Sequence, residues 1–308
     1  MFKYSSLLPG QVVDLKEEIA LISPTDTPLS TMLMQLGRVV PATDITVTWM
    51  EKELNKLSNS NLKVEGAEAD QFSNSKRTQK SNLCQIMEVG TKVSGTVQAL
   101  NPTGVEDAYV SEINDRMIEL KVGTEHYFIN GVKAEESGAT PRQMNGLMNL
   151  AHQITSAGTL TEDLLLNGME VMYNAGVNGD VYLFCNAKIK RAINNIAKED
   201  ASTIFLADAG KNAYGILVQS IETDFGTINI IMDRHMKDGE MLLIDLNEVE
   251  IAELRPAFYE ALPKTGDYFA GHVLQENTIK LLNSKAGVAF KGVEIAPKVM
   301  SASAKKVK

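Results

Sequence analysis

The stretch from Glu51 to Asn82, EKELNKLSNSNLKVEGAEADQFSNSKRTQKSN, decides how the rest of the chain is read. It is polar throughout, and Leu54, Leu57, Leu62, Val64 and Phe72 are its only large apolar residues. A loop of this length is uncommon inside a compact domain and is normally functional or disordered. The flanks argue against disorder. Before the stretch, Ile45, Val47 and Trp49 alternate with Thr46, Thr48 and Met50; after it, Ile86, Glu88, Gly90, Lys92, Ser94 and Thr96 alternate with Met87, Val89, Thr91, Val93 and Val97. Both flanks therefore read as strands. Paired, they predict a two-stranded arm of about 15 residues per strand that reaches roughly 50 Å. An isolated ribbon is marginal in water, so such an arm calls for a partner surface. A mobile surface loop is the competing reading.

Composition narrows the function classes. The 308 residues suffice for one large or two medium domains. A net charge of −9 opposes nonspecific adhesion to DNA or anionic membrane. Cys84 and Cys185 fit no metal-ligand or redox spacing, and both are expected to be free thiols in a reducing compartment. No apolar run is long enough to span a membrane, and Met1-Phe2-Lys3-Tyr4-Ser5 leads into no signal-peptide core, which predicts synthesis in the cytosol.

Residues 1–43 read as an arm, punctuated by Pro9-Gly10 and by Pro24-Thr25-Asp26-Thr27-Pro28, with a short helix from Leu29 to Leu36 ended at Gly37. Val105, Tyr109, Ile113, Met117, Leu120 and Tyr127 form an apolar stripe that predicts a long helix over 103–130, with Thr103 and Glu106 as a capping box. Residues 138–159 read as a connector. Thr161 then caps a second helix that ends at Gly176, Val181-Tyr182-Leu183-Phe184 reads as a buried strand, and Lys188 to Lys198 as a helix. Strand-like runs follow at 216–221 and 228–232, around Thr223-Asp224-Phe225-Gly226, and at 241–246 and 249–254. Two shorter runs, 272–275 and 278–282, flank a turn expected at Glu276-Asn277. This order predicts a mixed α+β domain. The residues 294–308 are small and basic, and are expected to form a flexible tail.

Signatures of chemistry are missing. His126, His152, His235 and His272 stand at no ligand spacing, no GxGxxG or phosphate-binding loop occurs, and Asp224-Phe225-Gly226 lacks the other kinase motifs and reads as a hairpin turn. Neither an enzyme nor a cofactor is expected. Glu65, Glu68 and Asp70 make a small acidic patch on the arm, and Lys76, Arg77 and Lys80 a basic one; opposite patches of this kind fix register between neighbouring copies.

The order of parts, with the phrases Leu21-Ile22-Ser23-Pro24-Thr25-Asp26-Thr27-Pro28-Leu29, Lys92-Val93-Ser94-Gly95-Thr96 and Lys264-Thr265-Gly266-Asp267, resembles the major capsid proteins of tailed bacteriophages, the Hong Kong 97 fold. The resemblance covers residues 12–293. It implies an N-terminal arm over 1–43, an extended β-hairpin (the E-loop) over 44–98, a peripheral domain from 99–160 and 255–293 with a spine helix over 103–130, and an axial domain over 161–254. It also implies hexamers and pentamers of an icosahedral head that encloses double-stranded DNA without specific contacts. The partners implied are the chain itself, a portal protein, and separate scaffolding and decoration proteins, with synthesis in the host cytoplasm and residence in the virion. Inter-subunit contacts would fall on Lys52, Lys56, Lys63, Glu65, Glu68, Asp70, Phe72, Lys76, Arg77 and Lys80 of the E-loop, and on Ile19, Leu21, Ile22, Pro24, Asp26 and Pro28 of the arm. Val105, Tyr109, Ile113, Met117 and Leu120 would form the spine. Because the arm phrase begins so near Met1, any scaffold is expected to be a separate protein, and no residue marks an Asn and Glu for a covalent link. An encapsulin-like cellular shell, a phage adhesin or decoration module, and an enzyme with an unrecognised site are the alternatives.

Overall fold

The computed structural model describes residues 24–55, 62–68, 72, 74–100, 107–177, 180–199, 210–212, 215–217 and 219–295. They fall into two compact units. One is drawn from Ile86–Thr124 and Pro256–Gln275 with the short stretch before Thr27, the other from Thr27–Gln85, Glu125–Arg255 and the residues after Gln275.

In the second unit a six-stranded sheet has the order β5 (His152–Thr159), β14 (Gly287–Glu294), β11 (Glu240–Asp245), β6 (Val181–Cys185), β10 (Gly226–Met232), β9 (Ser220–Thr223). β10 runs parallel to β6 and β5 parallel to β14, while β11 is antiparallel to both of its neighbours. Alternate residues of these strands, Leu183, Cys185, Ile228, Ile230, Met241, Leu243, Val288 and Phe290, enter one core with Leu165, Met169 and Met172 of helix α5 (Glu162–Asn174) and Ile189 and Ile193 of α6 (Ala187–Glu199). Each such side chain contributes about 1.5–3 kcal/mol on burial. Thr161 caps α5 by accepting a hydrogen bond from the Leu164 amide, and Gly176 at φ 83° ends it, as its sequence predicts. A side chain at Gly168 is excluded by packing, since a Cβ there lies 2.5 Å from the Phe290 ring. Thr223 to Gly226 form the expected hairpin turn, with Thr223 donating its hydroxyl to the Gly226 carbonyl.

A four-stranded sheet has the order β1 (Val39–Pro41), β12 (Val249–Ala261), β13 (Tyr268–Leu281), β4 (Gln85–Ser94). β1 follows helix α1 (Pro28–Gln35), which ends at Gly37 as expected, and pairs parallel to β12. β13 departs from the expectation of two short strands about a turn at Glu276-Asn277. It is one continuous strand of 14 residues, because Glu276 is buried and ion-paired instead of turning in solvent. The connector also differs, holding a short helix α4 (Leu147–Leu150) and the edge strand β5, whose bulge opposite Lys291 and Val293 and positive φ at Ser156 and Gly158 hide it from period-two reading.

The spine helix α3 covers Ala108–Asn130 (α2 is the turn-long Gly95–Ala99). Thr103 and Val105 lie outside the described residues. The Asp107 carboxylate accepts from the Tyr109 and Val110 amides, and its pKa is lowered, first by a hydrogen bond from Gln98. Leu120 is buried and Tyr109 and Ile113 half-buried, but Met117 is 42% exposed, so the stripe is narrower than its periodicity suggests.

Gly168→Val is expected to destabilise the chain by about 1–3 kcal/mol through overpacking against Phe290. Gly123→Ala, in α3 with nothing within 4 Å of its Cβ, is expected to stabilise it by about 0.5–1 kcal/mol. Urea denaturation of the two variants checks both signs.

Candidate assembly interface

Strands β2 (Thr46–Glu53) and β3 (Lys76–Leu83) form an antiparallel two-stranded ribbon, with Thr46 opposite Leu83 and Glu53 opposite Lys76. The sequence predicts residues 86–97 as the partner of the first strand; the observed partner lies inside the polar stretch. β3 (Lys76-Arg77-Thr78-Gln79-Lys80-Ser81-Asn82-Leu83) is solvated on both faces over its first half, so it has no alternation to read. Residues 85–94 are a strand too, but join the four-stranded sheet. The ribbon has 8 residues per strand, about 26 Å long at 3.3 Å per residue.

Lys52 stands opposite Arg77, a like-charge pair, and Glu53 opposite Lys76. Lys80 lies 3.9 Å from Glu51, whose carboxylate also accepts from the Ser284 amide at 2.8 Å and hydroxyl at 3.2 Å. A cleft of about 630 Å3 beside the half of the ribbon farther from Asn82 is lined by Met50–Leu54, Thr78, Asn174–Gly176 and Leu282–Lys285. Beyond the strands, Lys63, Glu65 and Glu68 are exposed, and so are the apolar side chains Leu54 (72%), Leu62 (78%), Val64 (80%) and Phe72 (88%). Lys56 and Asp70 lie outside the described residues. So do Ile19, Leu21 and Ile22 of the arm, while Pro24 and Asp26 are exposed and Pro28 opens α1.

The root of the ribbon is a buried polar bracket that sequence reasoning missed. Asn82, at 0% exposure, fills all its hydrogen-bonding capacity: its oxygen accepts from Leu83 N (2.9 Å) and Asn145 N (2.7 Å), and its amide donates to Asn145 O (2.9 Å) and Ile279 O (2.7 Å). Gln85 accepts from the Met144 amide at 3.2 Å. Arg142 donates to the Cys84 carbonyl at 2.8 Å and pairs with Glu276, whose second oxygen receives Arg255 Nε at 2.8 Å. Nothing in the spacing of these residues marks them; the clue was the polar run Gln275-Glu276-Asn277-Thr278 between Val273-Leu274 and Ile279.

A second bracket holds α1. Its N-cap Thr27 makes no side-chain cap; instead Glu125, buried on the spine helix, accepts from the Leu29 amide (2.7 Å), the Ser30 amide (2.9 Å) and the Ser30 hydroxyl. Burial first, with Asp233 adding to it, pushes the Glu125 carboxyl up to about 7 against these hydrogen bonds.

Burial raises both thiols, Cys84 and Cys185, to about 11, so neither is a ready nucleophile. Among the described residues no group of three or more His, Cys, Asp or Glu side chains is placed to hold a metal ion, and no helix is long and apolar enough to cross a membrane.

A ribbon arm, a spine helix, a six-stranded mixed sheet and a four-stranded sheet make up the Hong Kong 97-type fold of phage capsid subunits. The cyanophage A-1(L) capsid is similar over 91% of this chain and 96% of its own, with TM-score 0.66 and 12% identity. The capsid of a native GTA particle is similar over 92% and 97%, with TM-score 0.63 and 14% identity. The SrpI encapsulin of Synechococcus elongatus shares the fold as well, over 93% and 95%, with TM-score 0.60 and 10% identity. No curated protein matches the chain in sequence. The SU10 major capsid protein family matches residues 3–294, and the chain belongs to that family. It is therefore a major capsid protein of a phage head, a structural component of the virion.

Arg142→Met leaves Glu276 with one cation and is expected to cost about 3 kcal/mol, with faster amide exchange at residues 82–85. Because the folded-state carboxyl of Glu125 titrates above its unfolded value, its contribution is complete below about pH 4.5 and is lost as pH rises through about 7. Chemical denaturation from about pH 4.5 to 8 is expected to show this loss, and Glu125→Gln to flatten it.

Proposed function

We propose that the chain self-assembles into hexamers and pentamers that tile an icosahedral head around double-stranded DNA. The observation that carries this reading is the ribbon beyond its bracketed root. Among the described residues its two outer strand edges pair with no further strand, and it ends in large apolar side chains at 72–88% exposure, a surface that a monomer has no use for. Laid over a neighbouring copy, the edges supply main-chain pairing and the apolar residues supply anchors. Repeated head to tail, such a contact closes into rings.

In this reading residues 1–43 are the N-terminal arm, 44–98 the E-loop, 99–160 and 255–293 the peripheral domain, and 161–254 the axial domain. A portal protein and separate scaffolding and decoration proteins complete the head. The chain is made in the host cytoplasm, acts as no enzyme, and makes no covalent link between subunits. The encapsulin likeness is one of fold, and particle contents separate the two kinds of shell.

Negative-stain electron microscopy of the purified chain, with its scaffold supplied, is expected to show closed shells. Phe72→Asp is expected to stop the chain at monomers or small oligomers while leaving its thermal unfolding unchanged. Boiled particles are expected to run as single chains on a denaturing gel; a ladder of multimers would contradict the uncrosslinked reading.

A further inference from the structure

The parallel strands β6 and β10 end together, with Cys185 opposite Met232. From there the chain enters α6 through Asn186, and the loop before β11 through Asp233. The two exits are tied: Asn186 donates to Asp238 at 2.9 Å and to the Lys237 carbonyl at 3.4 Å, the Asp233 amide donates to Cys185 O at 2.9 Å, and Lys188 pairs with Asp238. Across 186–191 and 233–238 stand five cations, Lys188, Lys190, Arg191, Arg234 and Lys237, against two carboxylates, in a chain whose net charge is −9. Both carboxylates are engaged. Asp238 holds Lys188, and Asp233 is buried and accepts from the His235 amide at 2.8 Å. Lys188, Arg191, Arg234 and Lys237 are exposed, with Arg191 one helical turn beyond Lys188. His235 packs 6.0 Å from His126, and the His126 pKa is lowered, first by burial and then by His235 and the Lys237 cation. The N-terminal amides of α6 point their positive dipole end at the same place.

We propose that this strand-end surface is where the shell subunit contacts the phosphate backbone of the enclosed double-stranded DNA; the inference rests on the shell reading above. The cations are not interleaved with apolar anchors: Met236 is buried, and Met232 is the exposed apolar side chain beside them. A protein partner draws its affinity from buried aromatic and apolar anchors, whereas a phosphate backbone needs only spaced cations. Such a contact is independent of sequence and weak. It gives an acidic wall a few points of attachment without gripping its contents.

The test titrates the purified chain with a fluorescent random-sequence duplex of about 30 base pairs, from about 50 to 200 mM salt. With Lys188 shared with Asp238, about three neutralised phosphates predict a loss of affinity of about fortyfold over that range. The combined variant Lys188→Ser, Arg191→Ser, Arg234→Ser, Lys237→Ser is expected to lose most binding and most of the salt slope. The charge-preserving Lys188→Arg, Lys237→Arg retains both, and thermal unfolding confirms that each variant is folded. The proposal is overturned if the wild type binds no duplex, or if the serine variant binds as the wild type does. It is also overturned if polyglutamate competes equally at matched charge, which would mark an acidic protein partner, or if inorganic phosphate at the same concentration displaces the duplex. Electron microscopy of the same preparations tests the shell reading separately, because duplex binding by the unassembled chain does not require shells.

Discussion

Everything the ribbon does depends on how its root is held. A two-stranded ribbon has no core of its own, so its direction is set where it meets the sheet. Asn82 satisfies four hydrogen bonds there without water, and Arg142 joins the Cys84 carbonyl to a carboxylate that Arg255 also holds. Buried polar groups of this kind add little net stability over apolar packing, but they are directional and costly to misalign. An apolar root would tolerate slippage by small rotations. A bracket of fixed donors and acceptors admits one register, which is what a subunit needs if its arm must meet the same surface on every neighbour.

The part of the fold written as periodicity was legible. α1, α5, α6, β6, β10 and β11 bury a stripe or a face, and their apolar residues mark them, with a cap at Thr161 and breaks at Gly37 and Gly176. What failed to read was written in polar residues. β3 is a strand with solvent on both sides, so alternation carries no information about it. Glu276-Asn277 look like a turn until Arg142 and Arg255 neutralise the carboxylate. β5 is broken by a bulge and by left-handed residues. Family likeness came from the order of parts and three short phrases, which register architecture without fixing strand partners.

The candidate contact residues divide along the same line. Lys63, Glu65, Glu68 and Phe72 are exposed as a contact surface requires, and a polar loop with a lone Phe suggests that from sequence. The brackets at Asn82 and Glu125 were invisible, because a buried Asn or Glu looks like any surface one until its partners, 63 or 95 residues away, are known.

The charges along the ribbon bear on how strong its contacts can be. Lys52 faces Arg77 across the strands, an arrangement that weakens a ribbon instead of stabilising it. Lys76 and Lys80 on β3, and Lys52 between Glu51 and Glu53 on β2, place charges along the open edges, the usual defence of an edge strand against indiscriminate pairing. A surface so defended accepts a partner only where opposite charges compensate, and then only modestly, since exposed pairs are worth about 0–1 kcal/mol. For a closed shell that weakness is useful. In the proposed shell each subunit would make many contacts, so their sum would hold the particle together, while any one wrong contact would be weak enough to reopen before it is trapped.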